Sequence, residues 1–136
     1  EVSCGSLTYA TSENGDYITE ELPMSFFSKY GNLSERDITE NYFILKARGD
    51  SMSPYIEDRD QLICKRVQDV DSGKIGVVVS PDSEATVKII SKSKDKLTLI
   101  PINKRHEEQV YTFSDGEFRI IAEVIYVIRR VRTFII

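Results

Sequence analysis

The chain has 136 residues, of which 40% are hydrophobic and 29% charged, and its formal net charge is −4. This composition is typical of one soluble globular domain and excludes a disordered chain. Because DNA binding needs a basic face that neutralises phosphates, the acidic balance argues against DNA binding by these residues themselves.

The N-terminal part of the chain is polar. Residues 1–20 are rich in Ser, Thr, Gly and Asn and show little periodicity, which is typical of an arm or surface segment. We therefore predict an arm over residues 1–15 and a single domain over residues 16–136. The opening EVSCGSLTYA lacks the basic start and apolar core of a signal peptide. An apolar cluster over 22–32 and a capping pattern at 34–37 predict short helical turns near the N-terminus.

From residue 42 onward the chain consists of short β-branched runs separated by turn signals. The predicted strands are YFILKAR, QLICKRV, KIGVVVS, ATVKII, KLTLIPI, QVYTF and FRIIAEVIYVIRRV. The turn signals are Asp71-Ser72-Gly73, Pro81-Asp82-Ser83, Lys92–Asp95 and Ser114-Asp115-Gly116. Runs of this length and spacing predict a mainly β domain of antiparallel, barrel-like sheets.

Metal ligands and membrane segments are scarce in this sequence. Cys4 and Cys64 are far apart and His106 is the only histidine, so the three or four ligands of a zinc site are missing and we predict no metal or cofactor. His106 lies in the polar stretch KRHEEQ, which indicates an exposed residue rather than a catalytic base. Glu123 and three arginines interrupt the closing apolar run, so it is too charged to span a membrane. We predict a cytoplasmic protein with reduced thiols.

Two residues stand out from the strand pattern. Ser51 follows Gly49-Asp50 directly after an apolar strand, and Lys88 stands among β-branched residues 37 positions later. Alternation along a strand leaves Lys88 either in solvent or buried. Burial would lower the pKa of the amine from ~10.4, and a neutral amine beside a serine hydroxyl can accept its proton. A surface lysine and an ordinary turn serine are the alternative.

Several segments, taken in order, resemble the self-cleaving peptidase domain of LexA and phage CI-type repressors. They are FILKARGDSMSPYIEDRDQLIC, DVDSGKIGVVV, ATVKII, LTLIPIN and IIAEVIYVIRR. The resemblance implies the complex β fold that this family shares with signal peptidases, with Ser51 as nucleophile and Lys88 as neutral general base. It also implies that Thr86 orients the amine. The backbone N–H groups of Asp50 and Ser51 would then face the developing oxyanion.

Members of this family cut themselves between a small residue and a glycine, in an arm that precedes the catalytic core. The stretch VSCGSL fits that pattern, which implies a scissile bond between Cys4 and Gly5. Small side chains on both sides let the carbonyl group approach Ser51 closely. An ordinary flexible terminus is the alternative for this pair.

One turn departs from the family pattern. Asp58-Arg59-Asp60 stands where relatives have Asp-Gly-Asp, and glycine is the residue that most readily adopts a positive φ. We therefore expect either a non-glycine residue at positive φ or a turn of a different shape.

The resemblance implies the C-terminal autoproteolytic and dimerisation half of a transcriptional repressor, with a DNA-binding domain upstream of Glu1. The expected partners are a second copy of the chain and a RecA filament on single-stranded DNA, which would stimulate cleavage and derepress DNA-damage or prophage genes. A second hypothesis is a UmuD-type subunit of a translesion polymerase, which is also cut at a Cys-Gly bond. A third is a non-enzymatic β domain that binds another protein, in which Ser51 and Lys88 have no catalytic role.

Overall fold

The computed structural model of the chain describes residues 40–112 and 118–129, and this part of the chain contains seven strands. They are β1 Tyr42–Lys46, β2 Gln61–Arg66, β3 Ile75–Val79, β4 Ala85–Lys92, β5 Lys96–Ile100, β6 Gln109–Thr112 and β7 Arg119–Ile128. Each strand coincides with one of the seven predicted runs, and only β4 extends beyond its run. The predicted arm over 1–15 and the helical turns over 22–32 and 34–37 lie outside the described residues.

All seven strands form one sheet in the order β1-β2-β7-β3-β4-β5-β6. Every neighbouring pair is antiparallel, which confirms the prediction of a mainly β, antiparallel fold. The last strand of the chain lies in the middle of the sheet, where it pairs with β2 on one side and β3 on the other. As a result, β7 joins the β1–β2 hairpin to the β3–β6 part of the sheet.

Among the described residues, two apolar clusters help to stabilise the sheet. The first contains buried residues of β1, β2, β3, β4 and β7, together with three residues of the loop after β1: Phe43, Leu45, Ala47, Met52, Ile56, Leu62, Cys64, Val77, Val79, Ala85, Val87 and Ala122. The second contains Val70, Val78, Ile90, Leu97 and Leu99. Successive side chains of a strand point to opposite faces, which explains why neighbours such as Val77 and Val78 belong to different clusters. Each fully buried aliphatic side chain stabilises the fold by about 1.5–3 kcal/mol relative to an exposed one.

The loop between β1 and β2, residues 47–60, is closed at its base by backbone hydrogen bonds. The N–H of Ala47 donates to the carbonyl of Asp60, and the N–H of Arg59 donates to the carbonyl of Ala47, each at 2.8 Å. Arg59 has a φ of 72°, so the Asp58-Arg59-Asp60 turn does place a non-glycine residue in the left-handed region. The loop that carries Ser51 is therefore tied firmly to the ends of both flanking strands.

The described residues include no helix long and apolar enough to cross a membrane.

Candidate active site

Ser51 lies in a tight turn that is anchored in the main core. Within the turn, the N–H of Ser53 donates to the carbonyl of Asp50 at 3.1 Å and the N–H of Ile56 donates to the carbonyl of Met52 at 2.9 Å. The side chains of Met52 and Ile56 are buried in the first apolar cluster. Packing on both sides of the turn holds Ser51 in place, and only 9% of this serine is exposed.

Lys88 lies on β4, opposite Gly76 of β3, and it is 4% exposed. Of the two orientations that strand alternation leaves open, this lysine has the buried one. Its Nζ lies 3.1 Å from the Oγ of Ser51, which brings together two residues 37 positions apart. Gly76 has no side chain, and a Cβ there would lie within 2.8 Å of Ile90, so this part of the sheet is tightly packed around the lysine.

Thr86 is the third polar side chain of this group. It lies two residues before Lys88 on the same strand, so both side chains project from the same face. The Nζ of Lys88 donates to the Oγ1 of Thr86 at 2.9 Å. The amine is thus in hydrogen-bond distance of two hydroxyl groups, one from its own strand and one from the turn after β1.

Two backbone N–H groups at Ser51 are available as hydrogen-bond donors. Among the described residues, no hydrogen bond uses the N–H of Asp50 or of Ser51 as its donor. The carboxylate of Asp50 is 65% exposed and points to His106, whose Nε2 lies 2.7 Å from its Oδ1. Asp50 therefore contributes its main chain to this site, while its side chain lies at the surface.

The short turn Pro101–His106 contacts the Ser51 turn, and this contact is missing from the sequence-based interpretation. Asn103 donates through its backbone N–H to the carbonyl of Ser51 at 3.0 Å and through Nδ2 to the carbonyl of Asp50 at 3.1 Å. The segment LTLIPIN contributed to the family resemblance, but nothing in its composition indicates which loop it contacts. His106 was expected to be exposed and without a catalytic role, and it is about one-third exposed beside Asp50.

The predicted scissile bond between Cys4 and Gly5 lies outside the described residues. A cleft of about 270 Å³ does border Thr86, and apolar side chains such as Leu99, Tyr111 and Phe118 form part of its wall. A wider cleft of about 720 Å³ near Arg66 and Phe118 includes neither Ser51 nor Lys88. The smaller cleft also includes neither Ser51 nor Lys88 and meets the site only at Thr86.

Other reactive groups are set apart from this site. Burial raises the pKa of the Cys64 thiol far above its ordinary value, so this cysteine is a core residue and a poor nucleophile. Within residues 40–112 and 118–129, no three His, Cys, Asp or Glu side chains group together as metal ligands would. The chemistry that the described site can support is proton transfer between a buried amine and a hydroxyl, with backbone N–H groups nearby.

Comparison of the sequence with known proteins identifies a family for this chain. The sequence profile of the family described as Peptidase S24-like matches residues 1–125. The chain is 40% identical over 93 residues to a LexA repressor of Caldicellulosiruptor saccharolyticus, which covers 68% of this chain and 44% of that protein. It is 32% identical over 110 residues to a LexA repressor of Thermosipho melanesiensis, covering 80% of this chain and 49% of that one. In both comparisons the chain spans less than half the length of its relative.

Proposed function

This chain belongs to the peptidase S24-like family, and from that premise we propose that it is the self-cleaving half of a LexA-like repressor. Ser51 attacks the carbonyl carbon of Cys4 and breaks the bond between Cys4 and Gly5. The proposal depends above all on one observation, the 3.1 Å contact between the buried amine of Lys88 and the buried hydroxyl of Ser51. A buried amine is unfavourable unless it forms hydrogen bonds or loses its charge, so such a pair is seldom found without a function.

The first step forms a bond between the Oγ of Ser51 and the carbonyl carbon of Cys4. Burial disfavours the ammonium form of Lys88, so its neutral amine accepts the hydroxyl proton as the bond forms. The carbonyl oxygen becomes an oxyanion, which the backbone N–H groups of Asp50 and Ser51 stabilise. The absence of other acceptors for these two N–H groups in the described part of the chain supports that role.

The second step releases the amine of Gly5. The tetrahedral intermediate collapses, the bond between carbon and the Gly5 nitrogen breaks, and Lys88 returns its proton to the leaving nitrogen. The remaining ester between Cys4 and Ser51 is hydrolysed by water, with Lys88 accepting a proton from the water and then returning it to Ser51. The reaction therefore needs no group beyond the chain and water.

The partners follow from the same proposal. The chain acts as a homodimer, and the partial exposure of Tyr126 and Val127 on β7, 39% each, supports an interface on this strand. DNA binding is assigned to a domain upstream of Glu1, in agreement with the net charge of −4. A RecA filament on single-stranded DNA stimulates cleavage by favouring the conformation in which the arm over 1–15 reaches Ser51, and cleavage derepresses DNA-damage or prophage genes.

The test is self-cleavage of the purified chain over a pH series from neutral to alkaline, followed by mass spectrometry. We expect a new chain that begins at Gly5. Because the neutral amine is the active form, the rate constant rises by about tenfold per pH unit until Lys88 is deprotonated and then levels off. Ser51→Ala and Lys88→Ala each lower the rate by at least about 10³-fold.

Matched controls are Ser53→Ala, two residues from the nucleophile, and Lys94→Ala on the exposed β4–β5 turn, both of which leave the rate unchanged. Cleavage that survives either Ser51→Ala or Lys88→Ala contradicts the assignment of these residues. A product that begins at a residue other than Gly5 contradicts the scissile bond. A wild-type chain that stays intact over the whole pH series contradicts the proposed function.

A further inference from the structure

Asn103 holds the main chain on both sides of Ser51. Its Nδ2 donates to the carbonyl oxygen of Asp50 at 3.1 Å, and its backbone N–H donates to the carbonyl oxygen of Ser51 at 3.0 Å. Two successive peptide groups, the ones before and after the Ser51 Cα, are therefore bonded to a single residue from the turn that follows β5.

The Asn103 side chain is itself held at both ends. While its Nδ2 donates to Asp50, its Oδ1 accepts a hydrogen bond from the N–H of Arg105 at 3.1 Å. The carbonyl of Asn103 also accepts from the N–H of His106 at 3.1 Å, and the His106 ring contacts the Asp50 carboxylate. An amide bonded at both its oxygen and its nitrogen has one defined orientation, so Asn103 forms a firm support rather than an incidental contact.

Because the peptide group between Asp50 and Ser51 is planar, the hydrogen bond from Asn103 to the Asp50 carbonyl also affects the Ser51 N–H. In a trans peptide group the C=O of Asp50 and the N–H of Ser51 point in opposite directions. A hydrogen bond that fixes the carbonyl of Asp50 therefore also fixes the direction of the Ser51 N–H. The N–H of Ser53 bonds to the same oxygen, but it belongs to the same turn and moves with it, whereas Asn103 ties the turn to β5.

We propose that Asn103 is a positioning residue for self-cleavage, which orients the Asp50–Ser51 peptide group so that the Ser51 N–H faces the oxyanion. The inference rests on the proposed function, because the oxyanion forms only if Ser51 attacks a carbonyl. Asn103 acts through the main chain and touches no reacting atom. Stabilisation of an oxyanion depends on donors that are already aimed at it, so even a small rotation of this peptide group slows the reaction.

The test compares Asn103→Ala and Asn103→Asp with wild type in the same self-cleavage assay. Asn103→Asp keeps an acceptor for the Arg105 N–H and replaces the donor to Asp50 by a charged oxygen. Asn103→Ala removes both groups without adding charge. We expect both variants to lower the plateau rate constant by about 10- to 100-fold, less than the loss of a whole oxyanion donor, because the backbone bond of residue 103 remains. The pH midpoint of the Asn103→Ala variant, which reports Lys88, stays at the wild-type value.

The matched controls are Asn41→Ala and Asn41→Asp, which make the same chemical changes at an exposed residue just before β1. Thermal unfolding of all variants separates positioning from loss of structure. Plateau rates of both Asn103 variants within about twofold of wild type overturn the inference. A fall in rate that comes with a lower melting temperature and a shifted pH midpoint in Asn103→Ala also overturns it.

The two proposals fail in different ways. If Ser51→Ala and Lys88→Ala abolish cleavage but the Asn103 variants cleave normally, the proposed function stands and the role of Asn103 is wrong. If the wild-type chain remains intact, the proposed function fails and the role of Asn103 fails with it.

Discussion

The hydroxyl of Thr86 is placed to set the orientation of the Lys88 amine. A neutral amine has one lone pair, and this lone pair must point at the Ser51 hydroxyl for proton transfer. By donating one N–H to the Oγ1 of Thr86 at 2.9 Å, Lys88 limits the rotation of its amine. The bond to Thr86 therefore favours the geometry in which the lone pair faces Ser51, 3.1 Å away.

Substitution of Thr86 tests that role directly. Thr86→Val replaces the hydroxyl by a methyl group of similar size, and we expect the self-cleavage rate to fall by about tenfold, which corresponds to ~1.4 kcal/mol and lies within the range of an ordinary hydrogen bond. Thr86→Ser keeps the hydroxyl and serves as the matched control, with a rate within about threefold of wild type. The measurement is the plateau rate constant at alkaline pH, and equal rates for Thr86→Val and Thr86→Ser would show that the hydroxyl has no part in cleavage.

Sequence alone predicts some of these residues and not others. Ser51 and Lys88 stand out because a serine after Gly-Asp and a lysine among β-branched residues are unusual within strand patterns. Asn103 does not stand out, because asparagine is common in turns and its contact with Asp50 joins residues 53 positions apart. The left-handed conformation of Arg59, φ 72°, was one of two expected outcomes, since only the folded loop shows which turn shape forms.

At the level of strands, the local pattern is informative because it is repeated. All seven runs contain β-branched or aromatic residues, and all seven form strands, since pleated sheet surfaces favour these side chains. The order of the strands in the sheet, in contrast, could not be predicted from local sequence. β7 pairs with β2 and β3 rather than with its sequence neighbour β6, and no local pattern encodes that insertion.

Close packing between β3 and β4 gives a test at this level. Gly76 faces Lys88 across the strand pair, and a Cβ added to it would lie 2.8 Å from the Cγ1 and 3.1 Å from the Cδ1 of Ile90. Since both strands are fixed by their neighbours, Ile90 has little room to move, and we expect Gly76→Ala to lower the free energy of unfolding by about 1–3 kcal/mol. Urea denaturation followed by circular dichroism measures the change.

A second substitution, at Ile90, tests why Gly76→Ala lowers the free energy of unfolding. Ile90→Ala removes both the Cγ1 and the Cδ1 atoms that the new Cβ would meet, so Gly76→Ala should be less destabilising in the Ile90→Ala chain than in wild type. If the loss is the same in both backgrounds, contact with Ile90 is not its cause. Gly76→Ala is also expected to slow self-cleavage, because residue 76 lies directly opposite Lys88.

For the molecule as a whole, one ion pair connects the Ser51 loop to the end of the last strand. Arg129, the residue after β7, binds both carboxylate oxygens of Asp60, with its Nε 2.9 Å from Oδ1 and its Nη2 2.7 Å from Oδ2. Its Nη2 also donates to the carbonyl of Tyr55 at 3.3 Å. The Asp60 carboxylate, 2% exposed, accepts in addition from the N–H of Glu57 at 2.8 Å. A single buried carboxylate thus joins the Ser51 loop to the C-terminal end of the described chain.

Arg129 responds to this contact as expected for a cation beside a carboxylate. Hydrogen bonding to Asp60 raises the pKa of the guanidinium, so it remains charged at any pH at which the protein is studied. Substitution of either residue therefore breaks the pair. Because Asp60 also accepts from its own turn, its loss affects the shape of the loop as well as the attachment of β7.

Asp60→Asn tests this connection with the smallest change of shape. An amide cannot accept the two parallel bonds from Arg129, and its NH2 group then faces donors, so we expect the free energy of unfolding to fall by about 1–3 kcal/mol. Asp82→Asn, at an exposed turn residue, is the matched control and should leave stability within about 0.5 kcal/mol of wild type. If Arg129 acts only through this carboxylate, Arg129→Gln should add little to the loss already caused by Asp60→Asn. Fully additive losses in the double variant would mean that the two residues stabilise the fold independently of each other.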